Sequence, residues 1–224
     1  MNYFIGRKRR ARFNPPFPPN LIAILAVILS VFLSACSAQT TNPDAVQGPS
    51  SAGTQAIPLT GSKPECTSPA PLTVSLTEGP YYKAGSPERT SLLEAGTKGI
   101  KLVLSGYVLT TDCSPAAHAE LDFWQANADG QYDNSGYALR GHQFTDATGH
   151  YQLTTIVPGL YPGRTEHIHI KVQAPGGPVL TTQLFFPGVA ENKSDGIFDP
   201  SLVLNVQPAS DGETASFNFI VNSH

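Results

Sequence analysis

No apolar run in this chain is long enough to cross a bilayer: the longest, Leu21 to Leu33, falls short of the ~20 residues that a membrane-spanning helix needs, so a permanent span is disfavoured. No internal repeat is present, which argues against a solenoid or a propeller. Helical periodicity is scarce as well, and only Ser91 to Ala95 looks even briefly helical. Basic residues become rare once the N-terminus is set aside. Five of the 14 Lys and Arg residues precede Cys36, which leaves 9 against 17 Asp and Glu and a net charge of −8. An acidic surface argues against nucleic acid as a partner and against an electrostatic hold on anionic lipid, so a small substrate, neutral or only locally charged, is expected. Cysteine occurs only at Cys36, Cys66 and Cys113.

What is present begins with a basic head, Arg7, Lys8, Arg9, Arg10 and Arg12, then a polar, proline-containing spacer, then the apolar run ending at Leu33-Ser34-Ala35-Cys36. That order is an export signal. The cysteine at the cleavage point resembles a bacterial lipoprotein signal, which implies a signal peptide over residues 1–35, acylation of Cys36, and an exported protein held on the extracytoplasmic side of a membrane by its lipid anchor alone. Ordinary secretion with Cys36 as an incidental thiol is the alternative. Residues 36–64 are rich in Ser, Thr, Gln, Ala, Pro and Gly with almost no large apolar side chain, and are expected to be a disordered tether. Residues 65–224 have the size of one domain with its own core. In an oxidising compartment Cys66 and Cys113 are expected to form a disulfide, contributing about 3 kcal/mol; two free buried thiols are the other reading.

Within the domain the hydrophobic period is two. Ile100, Leu102 and Leu104 alternate with Lys101, Val103 and Ser105; Ala119, Leu121 and Phe123 with Glu120, Asp122 and Trp124; Phe217, Phe219 and Val221 with Ser216, Asn218 and Ile220. Further strands are expected from Tyr151 to Val157, His167 to Gln173 and Val179 to Phe186, separated by turn clusters such as Ala174-Pro175-Gly176-Gly177-Pro178. Short, evenly spaced strands predict an all-β fold, an antiparallel sandwich of two sheets. Two connections, Asn127 to Gly149 and Phe186 to about Ser201, are longer than closure requires and are expected to be active-site loops.

The densest chemistry lies in Pro158-Gly159-Leu160-Tyr161-Pro162-Gly163-Arg164-Thr165-Glu166-His167-Ile168-His169-Ile170. On a strand, His167 and His169 share one face while Ile168, Ile170 and Val172 share the other, so two imidazoles stand on a rigid, core-packed backing that suits a metal. Histidine at alternate positions is by itself weak evidence, because polar-face histidines are common. Tyr161 sits in a glycine-proline turn just upstream, and Tyr132 follows Trp124-Gln125-Ala126-Asn127-Ala128-Asp129-Gly130-Gln131, a strand running into a glycine turn. Either tyrosine alone reads as an ordinary core or surface aromatic. Together with two neutral imidazoles, two phenolates would offset two of the three charges on Fe(III) and select a hard, trivalent metal.

Five strings, Thr77-Glu78-Gly79-Pro80-Tyr81-Tyr82, Trp124-Gln125 with Gly130 and Tyr132, Tyr161, Arg164 with His167 and His169, and Thr182-Gln183-Leu184-Phe185-Phe186-Pro187-Gly188, stand in one order along the chain. They resemble the intradiol ring-cleavage dioxygenases, the family of catechol and protocatechuate dioxygenases, and more closely its exported single-domain bacterial members. The resemblance implies a Fe(III) enzyme of aromatic catabolism that takes a catechol and O2, with no organic cofactor, to a muconate-type diacid. It implies Tyr132 and His167 as equatorial iron ligands and Tyr161 and His169 as axial ones, with Tyr161 also accepting a substrate proton. Arg164 then matches the pocket arginine, Gln183 the glutamine that supports it, and Tyr81 and Tyr82 the pocket wall. The chain departs from the catabolic members in a shorter segment between Tyr161 and Arg164, in lacking a tryptophan after the Tyr-Pro pair, and in lacking a helical dimerisation domain. His118, His142 and His150 read as solvated side chains in turns or loops. A non-catalytic sandwich binding module, or zinc or copper on the histidine pair, are the competing readings.

Overall fold

A computed structural model describes residues 65–223, so the expected signal peptide, Cys36 and the tether lie outside the described residues. The described part is a two-layer β-sandwich. One sheet holds β1 (Lys101–Thr110), β4 (His150–Ile156), β7 (Asn205–Ala209), β8 (Gly212–Ser216) and β9 (Phe219–Val221); the other holds β2 (Glu120–Gln125), β3 (Arg140–Phe144), β5 (His167–Gln173) and β6 (Leu180–Phe185). Strand order is β4-β1-β8-β7, with β9 also on β1, in the first sheet, and β3-β2-β5-β6 in the second. Between the layers, Leu102, Leu104 and Val108 of β1 and Tyr151 and Leu153 of β4 pack with Leu121 and Phe123 of β2, Ile168, Ile170 and Val172 of β5 and Leu184 of β6. Each such side chain, taken out of water, stabilises the fold by about 1.5–3 kcal/mol.

The all-β sandwich expected from the periodicity is present, with local departures that have physical causes. β8 and β9 run parallel to β1, Leu102 to Ser105 pairing with Glu213 to Ser216 and Val108 to Thr110 with Phe219 to Val221. The strand expected over Ser216 to Val221 is thereby cut in two. At the break the Phe217 carbonyl occupies the space a side chain on Gly106 would need, and the Asn218 side chain accepts the Tyr107 amide at 3.0 Å. Ile100, assigned to a buried face, precedes β1 and is 54% exposed. Ser91 to Ala95 is not helical: Ser91 bridges Thr154, and the Leu92 amide donates to the Thr154 carbonyl at 2.8 Å, extending the β4 edge. β7 was hidden by its polar, proline-bearing, mostly exposed sequence. β3 divides the supposed loop from Asn127 to Gly149, and its sequence hides it too, because the residues it turns inward are Gly141, pressed against Arg89 and Leu92, and the polar Gln143.

The outer face of the β3-β2-β5-β6 sheet is covered rather than solvated. A strap without regular structure, Glu65 to Lys83, starts at the Cys66–Cys113 disulfide, whose Cα atoms are 5.8 Å apart. It is bonded along its length, Ala70 to Thr111 at 2.8 Å, Thr73 to Ile220 at 3.0 Å and Leu76 to Thr181 at 2.8 Å. Its far end lies on the second sheet. Asp122 and Trp124 are therefore buried along with the core-facing Leu121 and Phe123, and past Glu120 both faces of β2 are shielded from water.

Candidate active site

Residues directly opposite one another in an antiparallel sheet share a face. The register sets Arg140 opposite Trp124, Trp124 opposite His169, and His169 opposite Gln183, so one row crosses all four strands of the second sheet on its covered face. His167 sits one step along β5 on the same face, opposite Phe185. Ile168 and Ile170 point into the core on the opposite face.

The two imidazoles meet at their Nε2 atoms, 3.1 Å apart. His167 Nδ1 is 2.6 Å from the Thr165 carbonyl, which only accepts, so the proton belongs on Nδ1 and Nε2 presents a lone pair. His169 Nδ1 is buried with no hydrogen-bond partner among the described residues. If His169 carries its proton there, two lone pairs face each other across the gap; if it carries it on Nε2, the buried Nδ1 lone pair is left unmatched. A cation between the rings removes the first conflict by using both lone pairs. Trp124 lies flat on His169, ring centres 4.8 Å apart and planes 7° from parallel, and fixes the plane of that ring.

Tyr132 brings its hydroxyl to 3.2 Å from His167 Nε2. It is delivered by a turn in which the Asn127 side chain accepts the Asp129 and Gln131 amides, each at 2.9 Å. Gly130, at φ +73°, has the Leu160 carbonyl where a side chain would be, and Gly159 likewise has the Ala128 carbonyl. These contacts press the Tyr132 turn against the Tyr161 turn. The two rings stand edge to face, 5.9 Å between centres. The Tyr161 hydroxyl bonds that of Tyr81 at 2.8 Å, and the Tyr81 ring stacks on Tyr132 at 4.3 Å.

Burial raises the Tyr132 phenol well above its ordinary value, against the opposing pull of Arg164 and Arg140. Burial also lowers His167 to about 4, partly offset by its bond to Thr165, and holds His169 well below the usual imidazole value. Both rings are thus neutral donors near neutral pH, while the phenol ionises only if a cation is present. That combination fits a hard, highly charged ion held by nitrogen and phenolate oxygen. Among the described residues no three His, Cys, Asp or Glu side chains converge on a common point, so the phenols are needed to complete four donors. The depressed imidazoles carry a pH consequence for the metal-free protein. Between 6.5 and about 4 the unfolded chain binds more protons than the folded one, so stability is expected to fall as pH drops through that window, as thermal denaturation against pH would show.

Arg164 is clamped from two sides. Its Nε donates to Asp195 at 2.8 Å and its Nη2 to the Gln183 side-chain oxygen at 2.6 Å, while Gln183 Nε2 donates to the Thr77 carbonyl at 2.9 Å. Nη1 has no protein partner among the described residues. Asp195 also accepts the Thr165 amide at 2.9 Å, so one buried carboxylate steadies both Arg164 and the residue whose carbonyl orients His167. Burial works against its ionised form, but the Thr165 and Ile197 amides and Arg164 outweigh burial and keep the carboxyl below its ordinary value.

Asp195 was not singled out by sequence; the only signal was the length of the connection that carries it. Of the two strap tyrosines expected at the pocket wall, Tyr81 meets the tyrosine turns and Tyr82 lies further along the sheet. It lies behind Trp124 at 4.9 Å, bonds Asp122 at 3.2 Å, and has the Lys171 ammonium 3.3 Å from its ring centre. His142 is also not a solvated loop residue: it lies on β3, half-buried, with Nδ1 2.7 Å from the Ser86 carbonyl. His150 opens β4 and packs edge to face with Tyr107, whereas His118 is exposed in a turn.

The family model described as Dioxygenase matches residues 77–221. The chain belongs to the intradiol ring-cleavage dioxygenase family. Among solved structures, the dioxygenase domain of a dioxygenase–carbohydrate-binding protein fusion from Streptomyces sp. SirexAA-E is 53% identical, with a TM-score of 0.67 over 69% of this chain and 100% of that one. An intradiol ring-cleavage dioxygenase from Tetranychus urticae is 25% identical, with a TM-score of 0.63 over 69% of this chain and 96% of that one. The hydroxyquinol 1,2-dioxygenase of Rhizobium sp. (strain MTP-10005) is 29% identical over 175 residues, 66% of this chain. This chain spans only 59% of that enzyme's length. The matched segment takes in the far end of the strap, both tyrosine turns, the histidine strand, and Asp195.

Proposed function

We propose that this protein is a Fe(III)-dependent intradiol dioxygenase that cleaves catechol-type rings between the two hydroxylated carbons. One carbon–carbon bond breaks and both atoms of O2 enter the product, a muconate-type diacid, so no external reductant is needed. The convergence of His167, His169 and Tyr132, with Tyr161 edge-on beside them, carries the reading. These four residues would hold the ion. Bound there, ferric iron would supply the Lewis acidity that draws electron density from the catechol ring. Tyr161, ionised against the bound ion, would take a catechol proton at Oη, which Tyr81 Oη meets at 2.8 Å. Arg164, fixed by Asp195 and Gln183, keeps Nη1 for negative charge developing on the substrate. The buried Trp124 and Phe185 help to keep water from the histidine side of the pocket.

The N-terminal pattern supports an exported form anchored through an acylated Cys36, with residues 65–224 as the catalytic unit. One experiment tests the site. Purified protein loaded with ferric iron is expected to bind about one ion per chain and to turn wine-red through phenolate-to-iron charge transfer, with the band shifting when catechol is added without oxygen. A colourless ferric protein, or a spectrum blind to catechol, would overturn the reading; full binding of zinc with no ferric band would favour a hydrolytic site instead.

A further inference from the structure

Apart from the pull of its charge on Tyr132, Arg140 takes no part in the chemistry described above, yet it is among the most deeply buried large side chains, 2% exposed. An ionised side chain so placed is costly unless its hydrogen bonds are met. No carboxylate pairs with it among the described residues. Its guanidinium instead donates to backbone carbonyls, Nη1 to Tyr81 at 2.6 Å and Nη2 and Nε to Asp133 at 3.0 and 3.3 Å. Those two carbonyls follow the two tyrosines that stack on each other, Tyr81 on the strap and Tyr132 on its turn. The neighbouring Asp133 carboxylate, kept ionised by the Gly136, Ala138 and Ser135 amides, favours the charged guanidinium through space but makes no direct ion pair with it. Arg140 itself starts β3, opposite Trp124 and in the row that contains His169. The rigid sheet thus extends, through one planar fork, to both aromatic walls.

We propose that Arg140 is a positioning residue for the catechol pocket, tying the strap that carries Tyr81 to the turn that carries Tyr132 so that the two rings form one fixed wall. This rests on the proposed reading of the site. Lysine keeps the charge but, as a single ammonium on a flexible stem, does not reproduce the planar fork that spans both carbonyls. Methionine fills similar space and offers no donor.

The test compares wild type, Arg140→Lys and Arg140→Met. In the metal-free proteins, hydrogen exchange of the Tyr81 to Ala84 amides is expected to speed up by about tenfold in Arg140→Lys and by more in Arg140→Met, with β5 and β6 unchanged. In the iron-loaded proteins, KM for catechol is expected to rise about tenfold while kcat changes less than about threefold, since Arg140 meets only the backbone carbonyls behind the two rings and none of the reacting atoms. A residue that merely holds the fold together would lower the melting temperature and leave that split unmoved. Should Arg140→Met fail to fold, Arg140→Lys alone decides the matter. Folded variants with unchanged exchange and unchanged KM would overturn the assignment. A wild type that turns over no catechol, with exchange still responding in the variants, would overturn the dioxygenase reading and leave the clamp standing.

Discussion

Replacing His167 with alanine is expected to abolish iron binding and catechol cleavage while the sandwich stays folded. His167 Nε2 is 3.1 Å from His169 Nε2 and 3.2 Å from the Tyr132 hydroxyl, so its ring is the hub through which the other two donors meet. Changes to residues that merely orient a ligand already cost about 10–100-fold in metal affinity, and loss of a central ligand exceeds that. The fold is affected less. Removing the ring leaves the Thr165 carbonyl without its donor, a local loss of about 1–3 kcal/mol, while Ile168 and Ile170 keep β5 packed. Metal analysis, the visible spectrum and far-ultraviolet circular dichroism measure the three quantities separately, with His118→Ala as a control from an exposed turn. A folded His167→Ala protein that retains one iron and normal turnover would end the ligand assignment.

Arg164→Met is expected to keep iron and its colour but to lower kcat/KM for catechol by about 10²–10³-fold, the usual size of loss when one preorganised donor is removed from a buried site. The guanidinium is bonded to Gln183, which stands opposite His169 on the neighbouring strand, and this places it beside the donors. Asp195 and Gln183 hold it by Nε and Nη2, so its remaining nitrogen is preorganised before substrate arrives. Little reorganisation is then needed during reaction. Steady-state kinetics on the ferric variant tests this. A loss under about threefold would make Arg164 a structural partner of Asp195 rather than a participant.

The parts of this site that rest on regular strand geometry were legible in the sequence, and the parts that rest on distant pairing were not. Alternation along β5 was enough to put His167 and His169 on one face and Ile168 and Ile170 on the other. The glycines beside Tyr132 and Tyr161 marked turns, but that the turns press on each other through Gly130 and Gly159 is a tertiary fact. Period-two reasoning failed on β2, where Asp122 and Trp124 looked like the wet face and are buried under the strap. It failed on β3 for the converse reason. A strand that faces inward with glycine and outward with arginine and histidine has no hydrophobic alternation to read, and both Arg140 and His142 were missed or misplaced with it. Asp195 could not have been found by periodicity, since it lies in irregular chain and acts through a guanidinium on another segment.

Trp124, the only tryptophan in the chain, is also the ring laid flat on His169. All indole emission from this protein therefore originates from a single fluorophore touching one of the proposed donors. An open-shell ion arriving there would quench that light and chelation would restore it, so the molecule carries its own optical gauge of occupancy, without label or added probe.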